Sequence, residues 1–470
     1  FVDLNHERND LMTESYDVVI VGAGPAGIFT ALELTDKSDL DIIILEKGKN
    51  IEDRECPKKT QGTDCIKCKN CSIVCGWGGA GAYSDGKLTL SPEIGGNLDE
   101  HIGREKLVEL INYADEKYCE FGAPDKVYGP DDEKIEEIKS DAALAELNFI
   151  PSKIRHLGTG HSKSVLTQMK EHLLDQGVTI KTETKVEEIL TNADRAKGVK
   201  TDEGIEIYAD KIVVSPGREN AEWLAEEAEK LGIPTAINPV DIGVRVELPA
   251  AVMEELTDVV YESKFVYHSP TFEDKVRTFC MCPNGEVVNE NNNGLITVNG
   301  HSHATEKTDN TNFALLVSKT FTEPFREPIT YGKDVAKLAN LLGAGVIVQR
   351  LGDFLDGRRS TPKRIERSIV EPTLKDATPG DLSLVLPYRH LKAIDEMLAA
   401  LDEICPGVYS RHTLLYGVEV KFYSSRLKVK DNLETQIDDL FVAGDGAGIT
   451  RGLMQASSSG IVIAREILQD

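Results

Sequence analysis

The sequence predicts an α/β fold in which a doubly wound, dinucleotide-binding sheet is split by an inserted α+β domain. Three observations predict it. Tyr16 to Glu46 runs strand, glycine turn, helix, strand. Leu440 to Leu468 gives a strand, a glycine-rich turn and a closing helix at the far end of the chain. From Asp241 to about Glu434 the pattern changes to longer strands and variable loops, as an insertion would. The expected division is a first part over 12–237, with a cysteine-rich loop at 49–75 and a helical insertion at 98–150, then an inserted domain over 238–434 and a returning part over 435–470. Asn238-Pro239-Val240 is the candidate linker.

The first stretch carries the most specific signal. Val18 to Val21 is an apolar β-branched run, followed at once by Gly22-Ala23-Gly24-Pro25-Ala26-Gly27 and a helix bearing Ile28, Leu32 and Leu34. A second strand, Asp41 to Leu45, ends at Glu46, which stands 19 residues beyond Gly27. Gly22 permits a tight turn, Gly24 leaves the backbone open to a pyrophosphate, and Gly27 lets helix and strand pack closely. The helix start supplies N–H groups and a positive dipole end to the phosphates. Glu46 is placed to accept the ribose hydroxyls, with Lys47 beside it. An ordinary tight turn is the plain alternative, but the glycine spacing and the distant acid rarely coincide.

Composition bounds the rest. The 470 residues suffice for two or three domains, and 53 basic against 79 acidic residues give a net charge of -26. Such a surface repels nucleic acid and anionic membranes, so a nucleic-acid partner is not expected. No apolar run approaches the roughly 20 residues of a membrane span, and a cytoplasmic protein is expected. Residues 1–11 precede Met12 and are set outside the fold.

Five of the nine cysteines, Cys56, Cys65, Cys68, Cys71 and Cys75, fall in one polar loop. Cys65-x2-Cys68-x2-Cys71-x3-Cys75 has the ligand spacing of half a bacterial ferredoxin, with Cys75 and Cys56 competing to close a 4Fe-4S cluster. Zinc, a redox-active disulfide and plain reduced thiols are the alternatives. The next run, Gly76 to Leu88, contains a nominal G-x-G-x-x-G but opens no amphipathic helix and has no ribose acid downstream, which argues against a second dinucleotide fold.

GWGGAGAYSDGKL resembles the loop by which the glutathione-reductase-like flavoprotein superfamily passes over the FAD pyrophosphate. The resemblance implies FAD as cofactor, with Gly78, Gly79, Ala80, Ser84 and Lys87 along it. In the same superfamily the backbone near Val186 pairs with the adenine, the segment Val213 to Arg218 crosses back at Gly217, and Gly444-Asp445 holds the ribityl chain. Cys-x2-Cys-x2-Cys running into GWGGAGAYSDGKLTLSPEIGGN, with matches at Asp241 to Glu247, Arg277 to Val288, NGHSHATEKTDNTNFALL and Gly357 to Pro362, resembles the uncharacterised FAD-dependent dehydrogenases over nearly the whole chain from Tyr16.

Around the flavin ring, Gly452, Leu453 and Met454 open the last helix, whose N-terminus would favour negative charge on the reduced ring, and Arg451 could add a full charge. His301 and His303 are candidates for a general acid, and Arg358 and Arg359 for a carboxylate or phosphate clamp. Solvated histidines and ion-paired arginines are the plain alternatives. Cys280 and Cys282 read as buried strand thiols, and Glu419 with Lys421 as a cross-paired surface couple. The expected activity is hydride or electron transfer between a small-molecule substrate, held between two domains, and FAD. The donor would be NAD(P)H or ferredoxin, and a cluster would carry electrons if present. The rivals are a disulfide reductase using Cys71 and Cys75, and a non-catalytic binding protein like the GDP-dissociation inhibitors, against which Glu46 and Asp445 speak.

Overall fold

The computed structural model describes residues 14–57, 60, 68–84, 86–129, 132–236, 238–292, 294–302, 307–321, 324–325, 327–421 and 426–469. The N-terminal tail, Cys65 and His303 lie outside them. The chain forms two compact units, one made of Phe1–Lys126, Arg155–Ala236 and Ser424–Asp470, the other of Val127–Ile154 and Ile237–Tyr423.

The first unit is built on a seven-stranded sheet. Strands β1 (Glu14–Val21), β2 (Ile42–Leu45), β3 (Thr179–Lys181) and β6 (Glu206–Val214) run parallel in the order β3-β2-β1-β6, and β15 (Leu440–Val442), the last strand of the chain, adds in parallel to β6. The antiparallel pair β4 (Val186–Asn192) and β5 (Arg195–Thr201) continues from the first half of β6. Val18 to Val21 and Ile42 to Leu45 are buried on both faces, which is why they read as unbroken apolar runs. Helix α1 (Pro25–Thr35) has every residue from Ala26 to Leu34 buried. It crosses α10 (Leu453–Ile467) at Gly460, where a β-carbon would lie 2.1 Å from the Ala26 carbonyl oxygen. Helices α2 (Asp99–Ile102), α3 (Arg104–Glu120), α5 (Thr159–Asp175) and α6 (Ala221–Lys230) complete the unit. The start of the helical insertion expected over 98–150 is divided into α2 and α3 at Gly103, whose φ of +80° no helix tolerates.

The second unit centres on an eight-stranded sheet. Its core strands are β7 (Val240–Pro249), β8 (Lys264–His268), β9 (Lys275–Cys282), β12 (Asn310–Lys319), β13 (Ile347–Arg350) and β14 (Leu414–Lys421), in the order β13-β14-β7-β12-β9-β8, with Thr378–Pro379 and Asn148–Ile150 at the edges. One face packs Ile242, Val244, Val246 and Leu248 into a core with α4 (Asp132–Leu144), α7 (Ala250–Val259), α8 (Pro328–Gly343) and α9 (Tyr388–Ile404). The alternate residues of β7 point the other way, and the hairpin of β10 (Glu286–Asn292) and β11 (Leu295–His301) packs over that face: Gly300 lies so close to Arg245 that a β-carbon would meet its guanidinium at 1.8 Å. Helix α4, read from the sequence within a single insertion over 98–150, belongs to this second unit.

The covered face is polar. Arg245, with no exposed surface, donates to Asn312 Oδ1 (2.7 Å), the Cys280 carbonyl (2.5 Å) and both oxygens of Glu419 (3.4 Å). Lys421 adds a contact to Glu419 at 3.2 Å. Glu419 is fully buried and Lys421 nearly so, so they are an interior charge cluster and not the surface couple the sequence suggested. Beside them Glu247 accepts from Tyr416, Thr373 and Asn310, and burial pushes its carboxyl upward against those hydrogen bonds.

Candidate functional site

The parallel strands of the first unit end together. Ser215 N–H donates to the Val21 carbonyl at 2.8 Å and Ala443 N–H to the Val214 carbonyl at 3.0 Å, so the residues following β1, β6 and β15 share one edge of the sheet. In open α/β sheets ligands bind at the carboxyl ends of the strands. Three glycine turns meet there.

Gly22 and Gly27 make close approaches: a β-carbon would stand 2.3 Å from the Ser215 carbonyl oxygen at the first and 2.0 Å from the Gly22 carbonyl oxygen at the second. Gly24 differs, because a β-carbon there would meet nothing within 4 Å. It precedes α1, which has Pro25 at its start, no side-chain cap and no acid in its first turn, so no capping side chain takes the first backbone donors. Gly444 lies next to Ala26, and Gly446 packs against the carbonyl of Gly217. Asp445 accepts from Thr450 Oγ1 at 2.8 Å and faces Arg218 at 3.5 Å. The last helix, α10, likewise starts without a side-chain cap or a first-turn acid, after Gly452.

Glu46 plays a part that sequence reasoning missed. Its buried carboxylate accepts from Ala23 N (3.0 Å), Gly48 N (2.8 Å) and Gly76 N (2.9 Å), clasping the first glycine turn, the turn after β2 and the start of the Gly76–Leu88 loop. A carboxylate has about four lone-pair sites, so little capacity is left for the two ribose hydroxyls. Lys47 is held by Glu219 and, at 2.6 Å, by Asn220.

The Gly76–Leu88 loop is organised by Arg54, which carried no signal in the sequence because it sits in an aperiodic polar stretch. Fully buried, its guanidinium donates to the carbonyls of Ser72 (2.9 Å), Ile73 (3.1 Å), Trp77 (2.7 Å) and Gly79 (2.8 Å), and lies 5.0 Å from the Tyr83 ring centre. Trp77 is buried and donates to the Leu166 carbonyl at 2.8 Å. Gly79 then rests over Gly24, a β-carbon on it lying 3.2 Å from the Gly24 α-carbon, with Ala80 in the same short 3-10 turn. Ser84 Oγ closes that turn on the Gly81 carbonyl, and Lys87 follows in the strand Lys87–Thr89. On the opposite side Gly95 accepts from Arg451 N at 2.6 Å, and Gln455 holds Leu98 N and the carbonyls of Pro92 and Ile94, fixing the loop that backs the start of α10. Val186 opens β4, buried, beside Lys185, whose carbonyl accepts from Asp202 N.

The chemistry of this donor set fits FAD: two uncapped helix starts, a cradle that a side chain at Gly24 would fill, and an acid at the Gly-Asp turn, all within one unit. Of the expected cluster ligands, Cys65 lies outside the described residues. Cys75 is buried, which pushes its thiol upward, with Lys47 in hydrogen-bond reach opposing. Cys56, Cys68 and Cys71 are free thiols, and among the described residues no three His, Cys, Asp or Glu side chains are grouped to hold a metal.

The expected catalytic residues are divided between the chain's two units. Arg451 is in the first. His301 ends β11 in the second, exposed, and Arg358 there is occupied by Asp353 (2.9 Å) and Asp356 (2.9 Å), while Arg359 donates to the Ser360 carbonyl at 3.4 Å.

Comparison with known proteins agrees with the cofactor. Residues 239–422 match the family described as FAD-dependent protein, C-terminal domain-like, and residues 152–249 that described as pyridine nucleotide-disulphide oxidoreductase. An uncharacterised protein of Clostridium beijerinckii is 27% identical over 482 residues, covering 96% of this chain and 80% of that one. Similar solved structures include L-proline dehydrogenase from P. horikoshii, at 12% identity, 97% and 94% coverage and a TM-score of 0.40. Another is 3-ketosteroid-delta4-(5alpha)-dehydrogenase from Rhodococcus jostii RHA1, at 13% identity, 97% coverage of each chain and a TM-score of 0.45. The chain is an FAD-dependent oxidoreductase. No described helix is long and apolar enough to cross a membrane.

Proposed function

We propose that this enzyme binds one FAD, extended along the shared edge of β1, β6 and β15 in the manner of the glutathione-reductase-like flavoproteins, and exchanges hydride or electrons with a small-molecule substrate. Bound FAD supplies reversible two-electron chemistry. The backbone N–H groups at the start of α1 would take the pyrophosphate, and Gly78, Gly79 and Ala80 would cover it. Glu46 would offer its remaining lone pair to the ribose while holding three turns in place, and Asp445 would accept from the ribityl chain. The start of α10, at Gly452, Leu453 and Met454, would set a positive dipole end beside the ring, with Arg451 adding charge.

The observation that carries this reading is the open space at Gly24 beside the contact of Ala26 with Gly444. A nicotinamide donor is included because residues 152–249 match a family described by that chemistry. His301, His303, Arg358 and Arg359 remain candidates for substrate contacts. No step is assigned to a cluster.

The test is anaerobic reduction of the purified protein with NADH, NADPH or reduced ferredoxin, followed by bleaching of flavin absorbance. Full reduction by one of the three within the time of turnover supports the proposal. A colourless protein that takes up no added FAD would instead favour a non-catalytic binding role.

A further inference from the structure

The second unit contains a cavity of about 410 Å³ bordered by Asp274, Lys319, Phe321, Tyr331, Arg389 and His390. His390 lies in the first turn of α9 and is only 3% exposed, yet neither Nδ1 nor Nε2 has a hydrogen-bond partner among the described residues. Buried polar atoms are almost always paired, and leaving one unmet is costly, so two on a single ring that lines a cavity point to something that occupies it.

The charge of the cavity defines that occupant. Asp274 is gripped by Arg389, through Nε at 2.5 Å and Nη2 at 2.7 Å, and by Lys319. Among the described lining residues, two cations and one carboxylate leave one positive charge. The imidazole adds none, because burial first, and Lys319 and Arg389 after it, push its pKa down to about 4. Helix α9 starts here without a side-chain cap and with no acid in its first turn, so its first N–H groups favour an anion as well. The rest of the lining is Ser318, Thr320 and Pro387 with two aromatic rings, Phe321 and Tyr331, set edge to face at 5.1 Å between ring centres.

We propose that this cavity binds a small organic monocarboxylate, its charge met by Lys319, Arg389 and His390 and its apolar body lying against Phe321 and Tyr331. One negative charge balances the described lining, whereas a phosphate dianion would exceed it by one. A neutral imidazole can donate to a carboxylate through one nitrogen and keep the other for a hydroxyl or amino group of the ligand.

The test titrates the purified full chain with benzoate, with acetate and with inorganic phosphate, read by calorimetry and by the 15N resonances of the His390 ring. Benzoate is expected to bind saturably and to move both ring nitrogens, acetate more weakly, and phosphate not at all. Lys319→Met should weaken benzoate about tenfold or more, as loss of a charge-assisted contact does, and His390→Leu, which fills the same space without polar atoms, should weaken it while the chain stays folded. Absence of saturable benzoate binding to the wild type would overturn the proposal. So would phosphate binding at least as tight as benzoate, or unchanged benzoate affinity in both variants.

Discussion

A β-carbon placed on Gly444 would stand 3.4 Å from that of Ala26, although the two residues are 418 apart in the chain. The first glycine turn and the late Gly-Asp turn are therefore one structure. Parallel pairing of β1, β6 and β15 brings them there, and α1 against α10 holds them.

Gly24→Val should separate cofactor binding from folding. A β-carbon there meets nothing within 4 Å and the backbone is extended at φ -81°, so stability should stay within about 1 kcal/mol of wild type. It would fill the space assigned to the pyrophosphate, and retained FAD should fall at least about tenfold. Urea unfolding and the flavin content of the same preparation check both halves.

Gly460→Ala should do the reverse. Its β-carbon would be forced to within 2.1 Å of the Ala26 carbonyl oxygen and 2.9 Å of Thr30 Oγ1, which neither backbone can yield cheaply. A loss of about 1–3 kcal/mol is expected, as for overpacked cores, measured by the shift of the urea midpoint.

Glu46→Gln keeps size and polarity but turns one acceptor into a donor facing backbone N–H groups. At least one of Ala23, Gly48 and Gly76 then loses its partner, at about 1–3 kcal/mol. Hydrogen exchange should quicken at those amides, and FAD retention should drop with them. Unchanged exchange at all three would show that the carboxylate does not clasp these turns.

Arg54→Met should strip four carbonyls of their donor at once. The Gly76–Leu88 loop should become protease-sensitive while the sheet, which supplies none of these four carbonyls, keeps its circular dichroism. Limited proteolysis reads the difference.

The pH dependence should carry the mark of His390. An unfolded histidine titrates near 6.5, and the folded ring only near about 4 because burial disfavours its charge. Below 6.5 the unfolded chain binds a proton that the folded chain refuses. This contribution is thus fully present above 6.5 and is lost as the pH falls toward 4, by on the order of 3 kcal/mol. His390→Leu abolishes that slope, so the stability difference between variant and wild type should change across this window and be flat above about pH 7.

These residues also show what the sequence could and could not reveal. Gly22, Gly24 and Gly27 were legible because each demand, a tight turn, an open backbone or a close approach, is met by glycine within six residues. Gly444-Asp445 was legible by its likeness to flavoproteins. Glu46 was found but its work was not, since its partners come from three separate turns. Arg54 was invisible because a buried arginine that gathers carbonyls has no periodicity. Glu419 and Lys421 read as surface residues because alternation of polar and apolar residues ordinarily means one wet face, and here the β10–β11 hairpin covers that face. Helix α4 shows the same limit, since an apolar stripe says that a helix packs without saying against which unit.

The central claim is tested most directly by the flavin that acid releases from the purified protein. One equivalent of FAD per chain, with Gly24→Val and Asp445→Ala each retaining less than about a tenth of it while folded, is the predicted result. FMN in its place, or full FAD retention in both folded variants, would contradict it.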